Sequence, residues 1–117
     1  MRFNPAPYLP LSPASLHILI ALADGEKHGY AIIKEVARRT DGKVRLAAGT
    51  LYTVLKRYVD EGLVAESEER PDPALDDERR RYYLLTARGR AVAMAETDRL
   101  EETLKQARAK LAPAKAR

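Results

Sequence analysis

The stretch AAGTLYTVLKRYVDEGLVAES, residues 47–67, decides the fold. It places Leu51, Leu55 and Tyr58 on one side at helical spacing, and Gly62 ends the pattern, which predicts a helix over residues 47–61. The residues that follow, 63–69, are apolar and then acidic, as is typical of a strand. We therefore expect a helix that leads into the first strand of a hairpin.

Downstream lies RRRYYLLTARGR, residues 79–90, whose apolar centre predicts the second strand of that hairpin. Residues 70–78 are too long and too proline-rich for a tight turn, so we expect a mobile tip between the strands. Thr86 is then a suitable cap for a final helix over residues 87–112. In that helix Leu100, Leu104, Ala107 and Leu111 recur at 4-3-4 spacing.

Upstream, residues 1–12 carry several prolines and predict an extended N-terminal arm. Ser12 followed by Pro13 is typical of a helix start, and this helix should stop at Asp24-Gly25. A second helix fits residues 28–40. The alternation in residues 43–46 indicates either a short strand or an extended link.

The order of elements, three helices, a hairpin and one long helix, is the plan of a winged helix-turn-helix protein. We predict a mainly α fold with a small β-hairpin and an appended C-terminal dimerisation helix. The predicted organisation is an arm at 1–12, a winged-helix DNA-binding domain at 13–86, a dimerisation helix at 87–112 and a frayed tail at 113–117.

Composition sets the broad class of protein. A chain of 117 residues has room for one modest domain, and its net charge of +4 favours an anionic partner. The absence of cysteine fits a reducing compartment, so a cytoplasmic protein is expected. No apolar run approaches the roughly 20 residues that span a bilayer, which predicts no membrane association.

Residues that could support catalysis or bind a metal are few. The two histidines, His17 and His28, stand in no catalytic or metal-ligand spacing. The seven acids in residues 66–78 lack the glycine-punctuated spacing of a calcium loop. We therefore expect no enzyme activity, no cofactor and no metal site.

The third predicted helix carries the candidate DNA-binding residues, because the second helix of a helix-turn-helix offers its exposed side to the major groove. Hydroxyls and cations can bind phosphates or base edges. The residues predicted on that side are Gly49, Thr50, Thr53, Lys56 and Arg57. The alternative is an ordinary solvated helix face.

Charge separates sharply along the hairpin. Residues 79–90 contain five arginines and no acid, and Arg79, Arg80 and Arg81 stand at the base of the wing. Arginines in this position can follow phosphates or enter the minor groove. Alternatively, the acids of the first strand, Glu66 among them, neutralise these arginines across the hairpin.

The final helix has a stripe that one small domain cannot cover. Leu100, Leu104, Ala107 and Leu111 are the predicted dimerisation residues. A helix of about 25 residues spans roughly 37 Å, so two copies could hold paired recognition helices near the ~34 Å spacing of one DNA turn. The pattern therefore favours a homodimer.

Four short motifs occur in order at fitting separations. They are His28-Gly29-Tyr30, Gly49-Thr50-Leu51-Tyr52, Glu61-Gly62-Leu63-Val64, and Tyr83-Leu84-Leu85-Thr86 with Gly89-Arg90. With them the chain resembles the PadR family of winged-helix transcriptional regulators, from about residue 11 to residue 111.

The resemblance implies a dimeric repressor of the family's short branch, whose third helix and wing contact double-stranded DNA. By position, Tyr52 resembles the family tyrosine at the start of the recognition helix, close to the DNA backbone. Tyr30 resembles one that packs between helices. Some short members bind planar aromatic compounds with tryptophan, and this chain has none, which argues against drug sensing.

A second class of function stays open, because one fold can host unrelated functions. The winged helix could be a protein-interaction adaptor that does not bind DNA. Strongly salt-dependent binding to duplex DNA separates the two hypotheses. The sequence leaves open the operator, the regulated genes, any small-molecule inducer, and repression versus activation.

Overall fold

The computed structural model describes residues 2–67 and 81–113. Its elements are a 3-10 turn at Ala6–Tyr8, α1 at Pro13–Ala21, β1 at Lys27–His28, α2 at Gly29–Arg39, α3 at Ala48–Asp60, β2 at Val64–Ser67, β3 at Tyr82–Leu85 and α4 at Ala87–Leu111. The chain is thus mainly α-helical with a small antiparallel sheet. This confirms the predicted fold class.

Two helices begin at the caps that the sequence predicts. The Ser12 hydroxyl accepts the Ser15 amide at 3.1 Å at the start of α1. The Thr86 hydroxyl accepts the Gly89 amide at 3.0 Å at the start of α4. Each hydroxyl satisfies one of the amides that a helix leaves unpaired at its N-terminus, which fixes where the helix begins.

The sheet contains one strand that the sequence analysis did not predict. β2 and β3 pair antiparallel, with Val64 opposite Leu85, and confirm the predicted hairpin. β1 pairs with the other edge of β3, placing His28 opposite Tyr82, so the strand order is β1-β3-β2. A strand of two residues is too short to produce a period-two pattern, which is why the sequence did not reveal it.

The alternating segment 43–46 is an extended link between α2 and α3 and not a strand. The alternation of polar and apolar residues in this segment has another cause. Leu46 enters the core and Val44 packs partly against it, while Lys43 and Arg45 are exposed. Two apolar anchors in a link produce the same alternation as a half-buried strand.

The core lies between α1, α2, α3 and the sheet, and α4 closes it. Its fully buried aliphatic side chains include Ile18, Leu19, Ile32, Leu51, Leu55, Leu63 and Val92. The N-terminal arm is only partly extended, since it contains the 3-10 turn and packs Phe3, Tyr8, Leu9 and Leu11 against this core. The arm therefore contributes to the fold of its own chain.

A buried carboxylate joins the arm to α4. Glu96 is 1% exposed, and its carboxylate accepts the Leu11 amide at 2.8 Å and the Arg99 Nε–H at 2.5 Å. A buried charge is tolerated only when it is paired and hydrogen-bonded, as it is here. The contact fixes the end of the arm on the first half of α4.

Candidate nucleic-acid interface

α3 has one packed side and one open side. Leu51, Leu55 and Tyr58 are buried, as predicted. The opposite side exposes Gly49, Thr50, Thr53, Lys56 and Arg57. A Cβ on Gly49 would meet no atom within 4 Å, so this glycine leaves open space at the start of the helix. The structure thus places the predicted set on the surface, and its contact with DNA stays a prediction.

Tyr52 connects the start of α3 to the start of α2. Its hydroxyl lies 2.5 Å from the position that a Cβ on Gly29 would occupy, so a larger residue at position 29 would require the Tyr52 side chain to shift. Tyr52 keeps 38% of its surface exposed. It also lies near Tyr83, whose pKa is raised by burial and then by the neighbouring Glu66 and Tyr52. Tyr52 therefore marks the junction of α2, α3 and the wing.

Arg57 is set apart from the other exposed residues of α3. It stands in the last turn, where its Cζ lies 4.9 Å from the centre of the Tyr58 ring and its Nη2 donates to the Tyr58 hydroxyl at 3.3 Å. Its Nε lies 4.0 Å from Glu61. The guanidinium also lines a cavity of about 480 Å³ beside Tyr8 of the arm. Arg57 is thus held at the arm side of the helix.

Arg81 directly precedes β3, beyond the Ser67–Tyr82 pair, so it lies at the end of the hairpin that is far from α3 and α4 and not at the predicted base of the wing. Its guanidinium lies 3.5 Å from the Glu66 carboxylate across β2 and β3, and more than half of its side chain is exposed. This is the cross-strand neutralisation that the sequence left open as an alternative. Arg79 and Arg80 lie outside the described residues.

The predicted dimerisation residues lie beyond the body of the domain. Leu100, Leu104 and Leu111 are 40%, 52% and 81% exposed, so exposure increases toward the end of α4. Ala107 is half-buried. Leu104, Ala107 and Leu111 line an open cavity of about 520 Å³ together with Arg108. The leucine stripe is exposed in the single chain, and its pairing with a second copy of the chain stays a prediction.

Tyr30 is not packed between helices, contrary to what the family resemblance implied. It is 60% exposed, and its ring lies nearly parallel to that of His28, with 6.5 Å between the ring centres. Lys34 Nζ lies 4.9 Å from the centre of the Tyr30 ring. Tyr30 and Lys34 stand one turn apart on α2, so the tyrosine forms a solvent-facing pair with Lys34 instead of a contact between helices.

The histidines have structural partners. His28 Nδ1 accepts the Ala31 amide at 3.1 Å and so caps α2. His17 lies 3.2 Å from the Arg39 guanidinium, and burial followed by this positive charge lowers the pKa of its imidazole. Within residues 2–67 and 81–113, no three acidic or histidine side chains group in a way that could hold a metal ion. In the same part of the chain, no helix is long and apolar enough to cross a membrane.

Two packed helices, α2 and α3, followed by the β2–β3 wing and a further helix, define the winged helix-turn-helix class. The profile of the transcriptional regulator PadR-like family matches residues 18–95. The chain therefore belongs to the PadR-like family of transcriptional regulators, as its motifs indicated. Proteins of this family are regulators and not enzymes.

Two proteins are similar to this chain in sequence or in fold. An uncharacterised protein of Lysinibacillus sphaericus is 28% identical over 74 residues, which are 63% of this chain and 65% of the relative's length. A PadR family transcription regulator from Clostridium difficile has the same fold, with a TM-score of 0.69, 24% identity, and coverage of 86% of this chain and 99% of that chain.

BpsR of Bordetella bronchiseptica is a further structural neighbour. It is 28% identical with a TM-score of 0.63, and the match covers 89% of this chain and 70% of BpsR. The BpsR structure concerns regulation of its DNA binding by 6-hydroxynicotinic acid.

Proposed function

We propose that this protein is a sequence-specific DNA-binding repressor that acts as a homodimer in the cytoplasm. The observation that carries the proposal is the open side of α3, where Gly49, Thr50, Thr53 and Lys56 form a polar surface on a helix whose other side is buried. Such a helix suits the major groove of B-DNA, which is wide enough to admit one. BpsR, which shares the fold, binds DNA.

Each residue of this surface has a distinct expected role. Thr50 lies nearest the helix start and suits a phosphate oxygen, while Gly49 lets the backbone come close to the DNA. Thr53 stands about one turn further on and Lys56 about two turns further on, along the side of the helix that faces the groove and its base edges. Tyr52, at the edge of the surface, suits a backbone phosphate.

Arg57 and the wing are expected to bind mainly the DNA backbone. The Arg57 guanidinium already contacts Tyr58 and Glu61, so it can turn toward a flanking phosphate more readily than reach a base. Arg81 must leave Glu66 to meet DNA, and the two side chains are exposed enough for that exchange. Together with Arg79 and Arg80, Arg81 would follow the backbone or enter the minor groove.

The homodimer is proposed from the exposed leucines of α4. A second copy would cover Leu104 and Leu111, which no surface of the described domain covers. Burying a leucine is worth roughly 1.5 to 3 kcal/mol, so pairing is favourable. Two linked recognition helices would then read a two-fold related operator, whose half-sites share the symmetry of the dimer.

A gel-shift titration tests the proposal, with the DNA upstream of the protein's own gene as the probe. We expect binding that weakens steeply as salt rises. Thr53→Ala should weaken binding on the preferred site more than on an unrelated duplex, by about 0.5 to 1.5 kcal/mol for each hydrogen bond to a base that is lost. Lys105→Gln, on the side of α4 away from the leucine stripe, is the control. A protein-interaction adaptor would show little DNA affinity at physiological salt, and that result would refute the proposal.

A further inference from the structure

A second exposed polar pair lies on α2. Tyr30 has 60% of its surface exposed in the first turn of the helix, and the exposed Lys34 stands one turn further along the same face. Lys34 Nζ lies 4.9 Å from the centre of the Tyr30 ring. Within the described residues, the Tyr30 hydroxyl forms no hydrogen bond and Lys34 has no carboxylate partner. The two side chains therefore present a donor and a cation to solvent.

The nearest acid on the helix does not cancel this charge. Glu35 is held on another side of α2, where its carboxylate lies 3.4 Å from Lys27 and 3.9 Å from Arg39. Because these two cations already compensate Glu35, the face with Tyr30 and Lys34 keeps a net positive charge. An anion is the partner that this chemistry fits.

The Tyr30 ring lies beside the His28 imidazole, which limits its orientation. The His28 imidazole lies parallel to it within 7°. That imidazole is itself oriented by the Ala31 amide, at 3.1 Å from Nδ1, and by the edge of Tyr82 on β3, with 5.5 Å between the ring centres. A side chain that is already ordered loses little entropy when it binds.

The pair also lies beside the proposed DNA-binding surface. Gly29, which precedes Tyr30, is covered by the hydroxyl of Tyr52 from the first turns of α3. His28 pairs with Tyr82, which follows Arg81 at the start of β3. Tyr30 and Lys34 therefore stand where α2, α3 and the wing meet.

We propose that Tyr30 and Lys34 form a clamp for one phosphodiester of duplex DNA, with His28 as the positioning residue. The hydroxyl donates a hydrogen bond to the phosphate, and the ammonium group adds the charge. The first helix of a helix-turn-helix crosses the DNA backbone, which brings a phosphate to this face when α3 enters the groove. This inference rests on the proposed function and adds a contact that carries no sequence information.

Fluorescence anisotropy tests the clamp on two labelled duplexes of about 40 base pairs, a length that holds two half-sites. The first duplex has the sequence upstream of the gene, and the second has a shuffled sequence of the same composition. Because each dimer loses two phosphate contacts, Lys34→Gln should make the slope of log affinity against log salt less steep by about 1.8, equally on both duplexes. Tyr30→Phe should weaken binding about tenfold on both and leave the slope unchanged, because it removes a hydrogen bond and no charge. Lys105→Gln is the matched charge control, and thermal unfolding checks that each variant is folded.

The clamp is refuted if Lys34→Gln has the same salt slope as Lys105→Gln and Tyr30→Phe binds like the wild type. Lys56→Gln on α3 separates this failure from that of the proposed function. If Lys56→Gln weakens binding while the α2 variants do not, the protein binds DNA without the clamp. If the wild-type protein binds neither duplex, both proposals are wrong.

Discussion

The two halves of α4 belong to one unbroken helix but meet opposite surroundings. Residues 87–99 bring Gly89, Val92 and Glu96 into the domain, where all three are buried. Residues 100–111 leave the domain and expose Leu104 and Leu111. The difference teaches that the first half of the helix stabilises the fold of a single chain, whereas the second half is exposed and is the part that we propose pairs with a second copy.

The largest expected effect concerns the first half. A Cβ on Gly89 would overlap the carbonyl oxygen of Leu63 and lie 2.7 Å from the side chain of Leu85. Backbone cannot move aside as a flexible side chain can, so Gly89→Val should lower the free energy of unfolding by at least about 3 kcal/mol. Urea unfolding followed by circular dichroism measures this loss.

Gly49→Ala is the control for that substitution. Gly49 has no neighbour within 4 Å of its Cβ position and stands in the first turn of α3. Its replacement should leave stability unchanged or raise it by up to about 1 kcal/mol through helix propensity. Equal stabilities for the two variants would mean that α4 does not pack closely on the wing.

The second half gives the next largest effect. Leu104→Glu combined with Leu111→Glu should give a monomer with a normally folded domain, because both residues lie outside the core. Its affinity for the operator should fall about 100-fold or more, since two half-sites are no longer bound together. Sedimentation velocity and anisotropy measure the two outcomes.

The matched control adds the same charge to the other side of the helix, as Gln106→Glu with Ala109→Glu, and should remain a dimer. If the leucine double variant stays a dimer with normal DNA affinity, the contact between copies lies elsewhere. The proline-containing N-terminal arm would then be the next surface to test.

Features of the fold and of the candidate site could be predicted from the sequence where they depend on residues that lie close together along the chain. The starts of α1 and α4 were predicted because Ser12 and Thr86 bond to amides three residues away. The packed side of α3 and the leucine stripe of α4 follow from helical spacing alone. The element order and four short motifs were enough for the family.

Contacts between distant residues could not be predicted. The Leu11 amide meets Glu96 across 85 positions, and no local pattern distinguishes Glu96 from the exposed acids of α4. Likewise, β1 exists only because β3 lies beside it. Tyr30 was expected to pack between helices because the family resemblance matches positions along the chain and does not show what covers each side chain. Helical spacing placed Arg57 on the exposed side of α3 but does not show its contact with the adjacent Tyr58 ring, and its binding to DNA stays a prediction.

A smaller effect is expected at the buried carboxylate of the first half. Glu96→Ala leaves the Leu11 amide without its acceptor, which should cost about 1 to 3 kcal/mol. Glu101→Ala, on the exposed second half, should cost almost nothing. If both variants unfold at the same urea concentration, the arm is not held by Glu96.

Glu96 also predicts a pH dependence. The hydrogen bond from Arg99, and after it that from Leu11, holds the pKa of Glu96 below its ordinary value of 4.5, although burial opposes this shift. A carboxyl whose pKa is lowered by folding stabilises the protein above that ordinary value, and the stabilisation is lost as pH falls through the folded-state pKa. Wild-type stability should therefore fall more steeply below pH 4.5 than that of Glu96→Gln. Parallel acid profiles in thermal unfolding would contradict this.

The smallest expected effect lies at the very start of α4. Arg88 Cζ is 5.3 Å from the centre of the Phe3 ring, and this cation–π contact is worth about 0.5 to 1 kcal/mol. A cation in the first turn of a helix opposes the helix dipole by about 0.3 to 1 kcal/mol. The two contributions nearly cancel, so Arg88→Ala alone should change the free energy of unfolding by less than about 0.5 kcal/mol.

A double-mutant cycle with Phe3→Leu should nevertheless give a coupling free energy of about 0.5 to 1 kcal/mol between Arg88 and Phe3, because only the cycle isolates the contact. A coupling of zero, together with a lower salt slope for DNA binding by Arg88→Ala, would instead assign Arg88 to a phosphate.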